Sequence, residues 1–177
     1  MERREIDFTE HYDAVVEAMT SGGLLLAAYD SSGRPNAMTI GWGAMGSIWS
    51  MPMWIVLVRP SRYTYECIEH SGCFTVNAAP AAMAEALMIC GTRSGRDGDK
   101  LADAGLTAEK ARLVEAPALA ECPIVYECQV VHRNALVPDA LAKEIRQSAY
   151  AGGDFHRVYF GLILAAAAAE NAAELVR

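Results

Sequence analysis

Short apolar segments separated by polar turns constrain the fold of this chain more than any other feature. Residues 24–29 form an apolar run that Asp30-Ser31-Ser32-Gly33 ends, and residues 36–42 follow at once. Two such runs joined by a polar turn are typical of a β-hairpin. Further strand-like runs cover residues 53–58, 73–77, 124–131 and 157–164. Short strands joined through hairpins predict a mainly β protein, a barrel with peripheral helices, although the strand-to-helix order leaves a doubly wound α/β fold as an alternative.

The segments between these strands carry signals for helices and loops. Apolar spacing or helix-start signals predict helices over about 10–20, from Pro60 to about 71, around Met83-Leu87-Cys90 and over 101–103. The continuous run 53–58 favours a strand buried on both faces, and the Gly- and Ser-punctuated residues 43–52 favour a loop. Residues 138–155 favour a loop region with one short helix. The five alanines after Leu164 could prolong the last strand, but their propensity favours helix.

Length and composition fit one domain spanning residues 1–177. The chain is 53% hydrophobic, enough for a sizeable core. No apolar run approaches the roughly 20 residues of a membrane span, and Met-Glu-Arg-Arg-Glu does not open a signal peptide, so we expect a cytoplasmic protein. The net charge of −7 argues against nucleic-acid binding. Five cysteines without a C-x-x-C pair favour buried, reduced thiols, and the four histidines lack the spacing of metal ligands.

The segment from Arg59 to Glu66 is the strongest candidate for chemistry. The strand that ends at Val58 leads into a helix whose first residue can be Pro60, which would leave the N–H groups of Ser61, Arg62 and Tyr63 free. Free amides at the positive end of a helix dipole bind phosphate. Guanidinium and hydroxyl groups from Arg59, Arg62, Ser61 and Thr64 add donors. An ordinary helix start with solvated arginines is the alternative.

Two further segments carry donors or room for a ligand. Residues 90–100 combine glycines, which permit close backbone approach, with Ser94, Arg96 and Lys100, although they lack the P-loop spacing. Residues 36–42 offer Asn36, strand backbone and a glycine beside which a flat ring could lie. The alternatives are a flexible surface loop for the first segment and a plain hairpin strand for the second.

Taken together, these segments resemble the flavin reductase-like, FMN-binding split-barrel family, close to the flavoredoxins. The resemblance runs in order along most of the chain. The residues that carry it are Asn36-Ala37-Met38-Thr39-Ile40-Gly41-Trp42, Arg59-Pro60-Ser61-Arg62-Tyr63-Thr64, Phe74-Thr75-Val76-Asn77, Cys90-Gly91-Thr92 with Ser94-Gly95-Arg96-Asp97, and Ala120-Glu121-Cys122-Pro123. The family pattern near the last strand has an acidic residue and an aromatic where this chain has Leu162 and alanine. This departure does not affect the expected FMN binding. It bears on the contact that the family makes with a partner or substrate at these two positions.

The resemblance implies a split barrel, a homodimer and one FMN per subunit near the dimer interface. It implies cofactor-binding residues along the ring (Asn36, Met38, Thr39, Ile40), at the phosphate (Arg59, Ser61, Arg62, Tyr63, Thr64, with Asn77 behind) and in a closing loop (Ser94, Gly95, Lys100). FMN carries the redox chemistry, so no catalytic acid or base is required from the chain.

Three functions are consistent with an FMN-binding split barrel. The first is an NAD(P)H-dependent flavin reductase-type oxidoreductase, in which bound FMN passes electrons to a small-molecule or protein acceptor. The second is a flavoredoxin-like electron carrier with little nicotinamide activity, and the third is a non-catalytic flavin-binding protein. The chain has no nicotinamide-binding fingerprint that would decide between them.

Overall fold

The hairpin expected within residues 24–42 forms one end of the main sheet. The structure is a computed structural model that describes all 177 residues. Its strands are β1 Arg4–Glu5, β2 Leu24–Tyr29, β3 Pro35–Ile40, β4 Gly43–Ile48, β5 Met51–Val58, β6 Cys73–Ala78, β7 Ala108–Lys110, β8 Pro117–Leu119, β9 Ile124–Ala135 and β10 Arg157–Ala168. Its α-helices are α1 Tyr12–Ser21, α2 Tyr63–Ser71, α3 Ala84–Thr92, α4 Lys100–Asp103, α5 Lys143–Ala149 and α6 Ala172–Leu175, with short 3-10 turns at Ala81–Met83 and Pro138–Ala140.

The strand order excludes the doubly wound alternative. The main sheet runs β3-β2-β6-β9-β10-β5-β4, with β1 added beside β10, and β7 and β8 form a separate pair. Every strand pair is antiparallel. A doubly wound fold needs parallel strands joined by crossover helices. The mainly β prediction with peripheral helices is therefore confirmed.

The main sheet is covered on both faces where β2 and β6 lie. Leu24 and Leu26 belong to a core cluster of 29 residues built around Trp54, Phe74 and Tyr126. Leu25 points to the opposite face, into a cluster of 15 residues that includes side chains of α3 and α4. Because side chains alternate along a strand, a continuous apolar run is needed when both faces are buried.

Two predictions for the hairpin formed by β4 and β5 are wrong. Residues 43–48 form β4, which pairs with β5 from Gly43↔Val56 to Ile48↔Met51, so this segment is not a loop. Its glycines weaken the local strand signal, and the neighbouring strand supplies the pairing. β5 is not buried on both faces: Val56 is buried, whereas Ile55 and Leu57 are only half-buried.

The alanine run continues the last strand instead of forming a helix. β10 extends to Ala168, and residues 165–168 pair with β9 from Ala165↔Glu127 to Ala168↔Ile124. The end of this run also pairs with β1. Hydrogen bonds to two neighbouring strands outweigh the intrinsic helix preference of alanine, which amounts to less than about 1 kcal/mol per residue.

No helix of the structure combines the length and the apolar character that crossing a bilayer requires.

Candidate functional site

Two adjoining cavities lie between β3, the β5–α2 turn and the loop after α3. The outer cavity has a volume of about 240 Å³ and is lined by Met38, Thr39, Ile40, Gly41, Trp42, Leu57, Arg59, Arg62 and His156. The inner cavity, of about 110 Å³, is lined by Met38, Ser61, Arg62, Tyr63, Thr64, Cys90, Thr92, Arg93, Ser94, Arg96 and Lys100. Met38 and Arg62 line both cavities. One elongated ligand can therefore occupy the two together.

The inner cavity is strongly cationic although the chain is acidic. Four of its 11 lining residues are Arg or Lys, and none is Asp or Glu. The chain as a whole carries a net charge of −7. At contact distance such local charges dominate over a screened net charge. The inner cavity is thus suited to an anion.

The turn before α2 differs from its predicted form. α2 begins at Tyr63 with Arg62 as its N-cap residue in extended conformation, so the predicted helix start at Pro60 is wrong. The Arg62 N–H donates to the Arg59 carbonyl at 3.0 Å and closes a turn, in which proline suits the second position as well as it suits a helix start.

The amides left free at this turn belong to the first helical residues. The Ser61 N–H donates to Asp154 Oδ1 at 3.4 Å, and the Arg62 N–H donates to the Arg59 carbonyl. The N–H groups of Tyr63 and Thr64 make no hydrogen bond within the chain. These two amides, at the positive end of the helix dipole, are the available backbone donors.

Side chains add uncommitted donors to the inner cavity. Thr64 is 1% exposed and its Oγ1 accepts a 2.7 Å hydrogen bond from Asn36 Nδ2, which leaves the hydroxyl hydrogen free. Arg62 makes neither a cap hydrogen bond nor an ion pair. The Ser94 Oγ accepts from the Arg96 N–H and likewise keeps its own hydrogen. An arriving phosphate would meet hydroxyl, amide and guanidinium donors together.

Lys100 is a buried cation without a carboxylate partner. It is 5% exposed, and its Nζ donates only to the carbonyls of Cys90 at 3.4 Å and Arg93 at 3.3 Å. Burial lowers the pKa of Lys100, and the positive charge of Arg62 lowers it further. An anion in the inner cavity would offset this cost, so the buried charge of Lys100 favours the binding of an anion there.

Arg59 and Ser61 face a different segment. Arg59 donates to the carbonyl oxygens of Ala149, Gly153 and Asp154, at 2.9, 3.4 and 3.0 Å. The Ser61 hydroxyl donates to Asp154 Oδ2 at 2.6 Å. These contacts fix the segment 149–154, and with it His156, against the outer cavity.

His156 forms one wall of the outer cavity as a neutral imidazole. It is 7% exposed, its Nδ1 lies 2.7 Å from the Tyr150 hydroxyl, and its ring packs at 5.2 Å from that of Trp42. Burial, followed by the nearby Arg59, lowers the pKa of His156 to about 4. The outer cavity therefore presents aromatic and apolar side chains beside Arg59 and Arg62, with no charge on its histidine at neutral pH.

The sequence matches a known family over most of its length. The model of the flavin reductase like domain matches residues 16–176. The chain belongs to this family. No curated protein compared with the chain matches it.

Solved structures of the flavin reductase-like family share this fold. A flavoredoxin of Desulfovibrio vulgaris (Miyazaki F) is 26% identical, with a TM-score of 0.68 over 84% of this chain and 70% of that one. A flavoredoxin from Methanosarcina acetivorans is 29% identical, with a TM-score of 0.67 over 85% and 69%. A protein from Shewanella frigidimarina NCIMB 400, named as a flavin reductase with a split barrel domain, is 18% identical, with a TM-score of 0.69 over 94% and 76%. The split-barrel fold class is confirmed.

Most of the residues predicted to bind cofactor meet at the two cavities. Met38, Thr39, Ile40, Arg59, Ser61, Arg62, Tyr63, Thr64, Ser94 and Lys100 all line one or both. Three predicted residues lie outside the linings. Asn77 is fully buried and its amide is bonded to Leu25, Thr75 and Leu119. Asn36 lies behind Thr64, and an added Cβ at Gly95 would be 2.2 Å from Asn36 Oδ1.

The predicted cofactor-binding residues did not include eight further residues that line the cavities, namely Gly41, Trp42, Leu57, Cys90, Thr92, Arg93, Arg96 and His156. His156 reaches the site because β10 pairs with β5 from Arg157↔Val58 onward, which places it next to Arg59. That pairing joins segments about 100 residues apart and has no local signal. The sequence did identify Arg96 as a donor in the glycine-rich segment, although the prediction did not assign it to the cofactor.

Proposed function

We propose that the chain is one FMN-binding domain over residues 1–177 and acts as an NAD(P)H-dependent flavin reductase-type oxidoreductase. The observation that carries the proposal is the pair of joined cavities: the outer one has aromatic and apolar side chains beside Arg59 and Arg62, and the inner one has four cations and no acid. Their chemistry matches the two ends of FMN, a flat ring and a phosphate. Bound FMN would supply hydride acceptance and electron transfer.

Each cavity has a distinct role in this proposal. In the outer cavity Met38, Ile40 and Leu57 exclude water from the ring, and the neutral His156 adds no positive charge beside it. In the inner cavity Arg62, Lys100 and the free donors around Thr64 bind the phosphate. Family membership and the FMN-binding proteins among the similar structures support this assignment.

A flavoredoxin-like electron carrier is the second candidate. The two flavoredoxins, at 26% and 29% identity, are the observation that favours it. In a carrier the same cavities hold FMN, and a protein partner reduces it without nicotinamide turnover.

The visible spectrum of the purified protein and an activity assay test these proposals in sequence. Flavin absorbance, or binding of added FMN in a titration, is expected; absence of both would overturn the FMN proposal. Steady-state oxidation of NADH or NADPH with added FMN supports the reductase. Reduction of the bound flavin only by a protein donor supports the carrier, and the absence of any reduction supports a non-catalytic flavin-binding protein.

We propose a homodimer that uses the outer face of β5 and β10. Phe160 pairs with Ile55, and Val158 with Leu57, and these side chains are only half-buried. Leu162, at one of the positions where the family pattern departs, lies on the same face. A Phe160→Glu variant should be monomeric by light scattering while the wild type is dimeric. A monomeric wild type would contradict the assignment.

We also propose a cytoplasmic location. All five cysteines are free and buried, which suits a reducing compartment. Cell fractionation tests this proposal.

A further inference from the structure

A single arginine joins two walls of the inner cavity. Arg96 comes from the loop after α3, and its Nη1 donates to the Ser61 carbonyl at 3.2 Å on the turn before α2. Its Nη2 pairs with Glu66 Oε1 at 2.6 Å. The Arg96 side chain lines the cavity and is 40% exposed. Arg96 therefore lies at the boundary between the cavity and solvent, where it connects the loop after α3 to the turn before α2 and to Glu66.

The same loop is held by a second arginine from the β2–β3 hairpin. Arg34 Nη2 donates to the Gly95 carbonyl at 3.0 Å, and its Nε pairs with Asp30 at 3.2 Å. Both guanidinium groups lie over the Tyr63 ring, with Arg34 Cζ 5.9 Å and Arg96 Cζ 5.1 Å from the ring centroid. Several independent contacts thus keep the loop closed over the cavity.

The space behind this bridge fits a terminal phosphate and little more. The inner cavity measures about 110 Å³, whereas pockets for drug-sized ligands measure about 300–1,000 Å³. The inner cavity has no room for an adenylate attached to the phosphate, which would have to extend past the exposed rim residues Ser61, Arg62, Thr92, Arg93 and Arg96. Among these, Arg96 is the residue whose guanidinium joins the loop after α3 to the turn before α2. The Arg96 bridge is therefore the contact that an adenylate on this side would disturb and that a monophosphate leaves in place.

The charge of the cavity favours the same ligand. Arg62 and Lys100 have no carboxylate partner, whereas Arg96 and Arg93 are paired with Glu66 and Asp103. A phosphate monoester carries about −1.5 to −2 charges at pH 7. Each phosphate of the pyrophosphate in a dinucleotide carries a single negative charge. The two unpaired cations, Arg62 and Lys100, therefore match the charge of a phosphate monoester better.

We propose that Arg96 makes the site selective for the flavin monophosphate over the flavin adenine dinucleotide. The inference rests on the proposed function, since it assumes that the flavin phosphate occupies the inner cavity. Arg96 acts as a gate: it bridges Ser61 and Glu66 across the path that the adenylate would take. Its removal opens the path without removing the unpaired cations.

Fluorescence titrations with FMN and FAD test the gate. The wild type should bind FMN about 100-fold more tightly than FAD, a difference of about 2.8 kcal/mol. In Arg96→Ala the dissociation constant for FAD should fall by about tenfold or more. Glu66→Gln releases the same arginine without truncating it and should act in the same direction. Arg112→Ala is the matched control, because Arg112 forms an exposed pair with Glu5 away from both cavities.

The outcomes separate the gate from the flavin site itself. A wild type that binds neither flavin overturns the proposed function. A wild type that binds FAD as tightly as FMN overturns the gate and leaves the proposed function standing. The gate is also overturned if Arg96→Ala brings the dissociation constants for FMN and FAD closer together only by weakening FMN binding. Arg96 would then be a ligand of the phosphate. Tighter FAD binding in Arg96→Ala and unchanged values in Arg112→Ala support the gate.

Discussion

Replacement of Arg62 by alanine tests the phosphate assignment most directly. Arg62 lines both cavities, and the structure gives its side chain neither a cap hydrogen bond nor an ion pair. It is exposed, so its removal breaks no internal interaction and leaves the free energy of unfolding within about 0.5 kcal/mol of the wild type. Any loss of flavin affinity then reports on the ligand and not on the fold.

The size of the loss follows from the interaction that Arg62 would make. A hydrogen bond to a charged group contributes about 1.5–3 kcal/mol. At about 1.4 kcal/mol per factor of ten, the dissociation constant for FMN should rise about 10- to 150-fold. Riboflavin lacks the phosphate, so its dissociation constant should change much less. Arg62→Lys keeps the charge but loses the forked donors and should give an intermediate loss.

The assay is titration of flavin fluorescence at fixed ionic strength, with thermal melting of the unliganded variants as the check on folding. Arg112→Ala again serves as the control for loss of an exposed arginine. Equal weakening of FMN and riboflavin would refute the reasoning, because Arg62 would then contact the ring end. An unchanged affinity for FMN would remove Arg62 from the phosphate site.

Three further predictions follow from the same region. Gly95→Ala places a Cβ 2.2 Å from Asn36 Oδ1 and 3.0 Å from Tyr63 Cδ1, and should lower the free energy of unfolding by about 1–3 kcal/mol in chemical denaturation and weaken FMN binding. Burial lowers the pKa of His156 from 6.5 to about 4, so as the pH falls the unfolded chain binds this proton before the folded chain does. Between about pH 6.5 and pH 4 the wild type should therefore lose roughly 3 kcal/mol more of its free energy of unfolding than His156→Gln. Chemical denaturation of both proteins at the two pH values measures this difference. Burial also lowers the pKa of Lys100, and binding of FMN or inorganic phosphate should raise it, which NMR titration of the labelled side chain can follow; an unmoved pKa would place the anion elsewhere.

The sequence determined the features that depend on neighbouring residues. Short apolar runs separated by a polar turn predicted the hairpin of β2 and β3, and the order of motifs indicated the flavin reductase-like resemblance that the family comparison confirms. Donor-rich segments around Arg62 and Lys100 were recognisable because arginine, lysine, serine and glycine cluster there. These signals are local, and a local composition is visible without knowledge of the fold.

Only the tertiary structure decided the features that depend on strand pairing. The alanines of β10 are extended because β9 and β1 pair with them, and Arg59 and Ser61 turn toward residues 149–154 because β10 runs beside β5. The same pairing brings His156 to the outer cavity, and the loop after α3 brings Arg96 across to Ser61. Such contacts join residues far apart in the chain, and their free energies exceed the small intrinsic preferences that a sequence pattern reports.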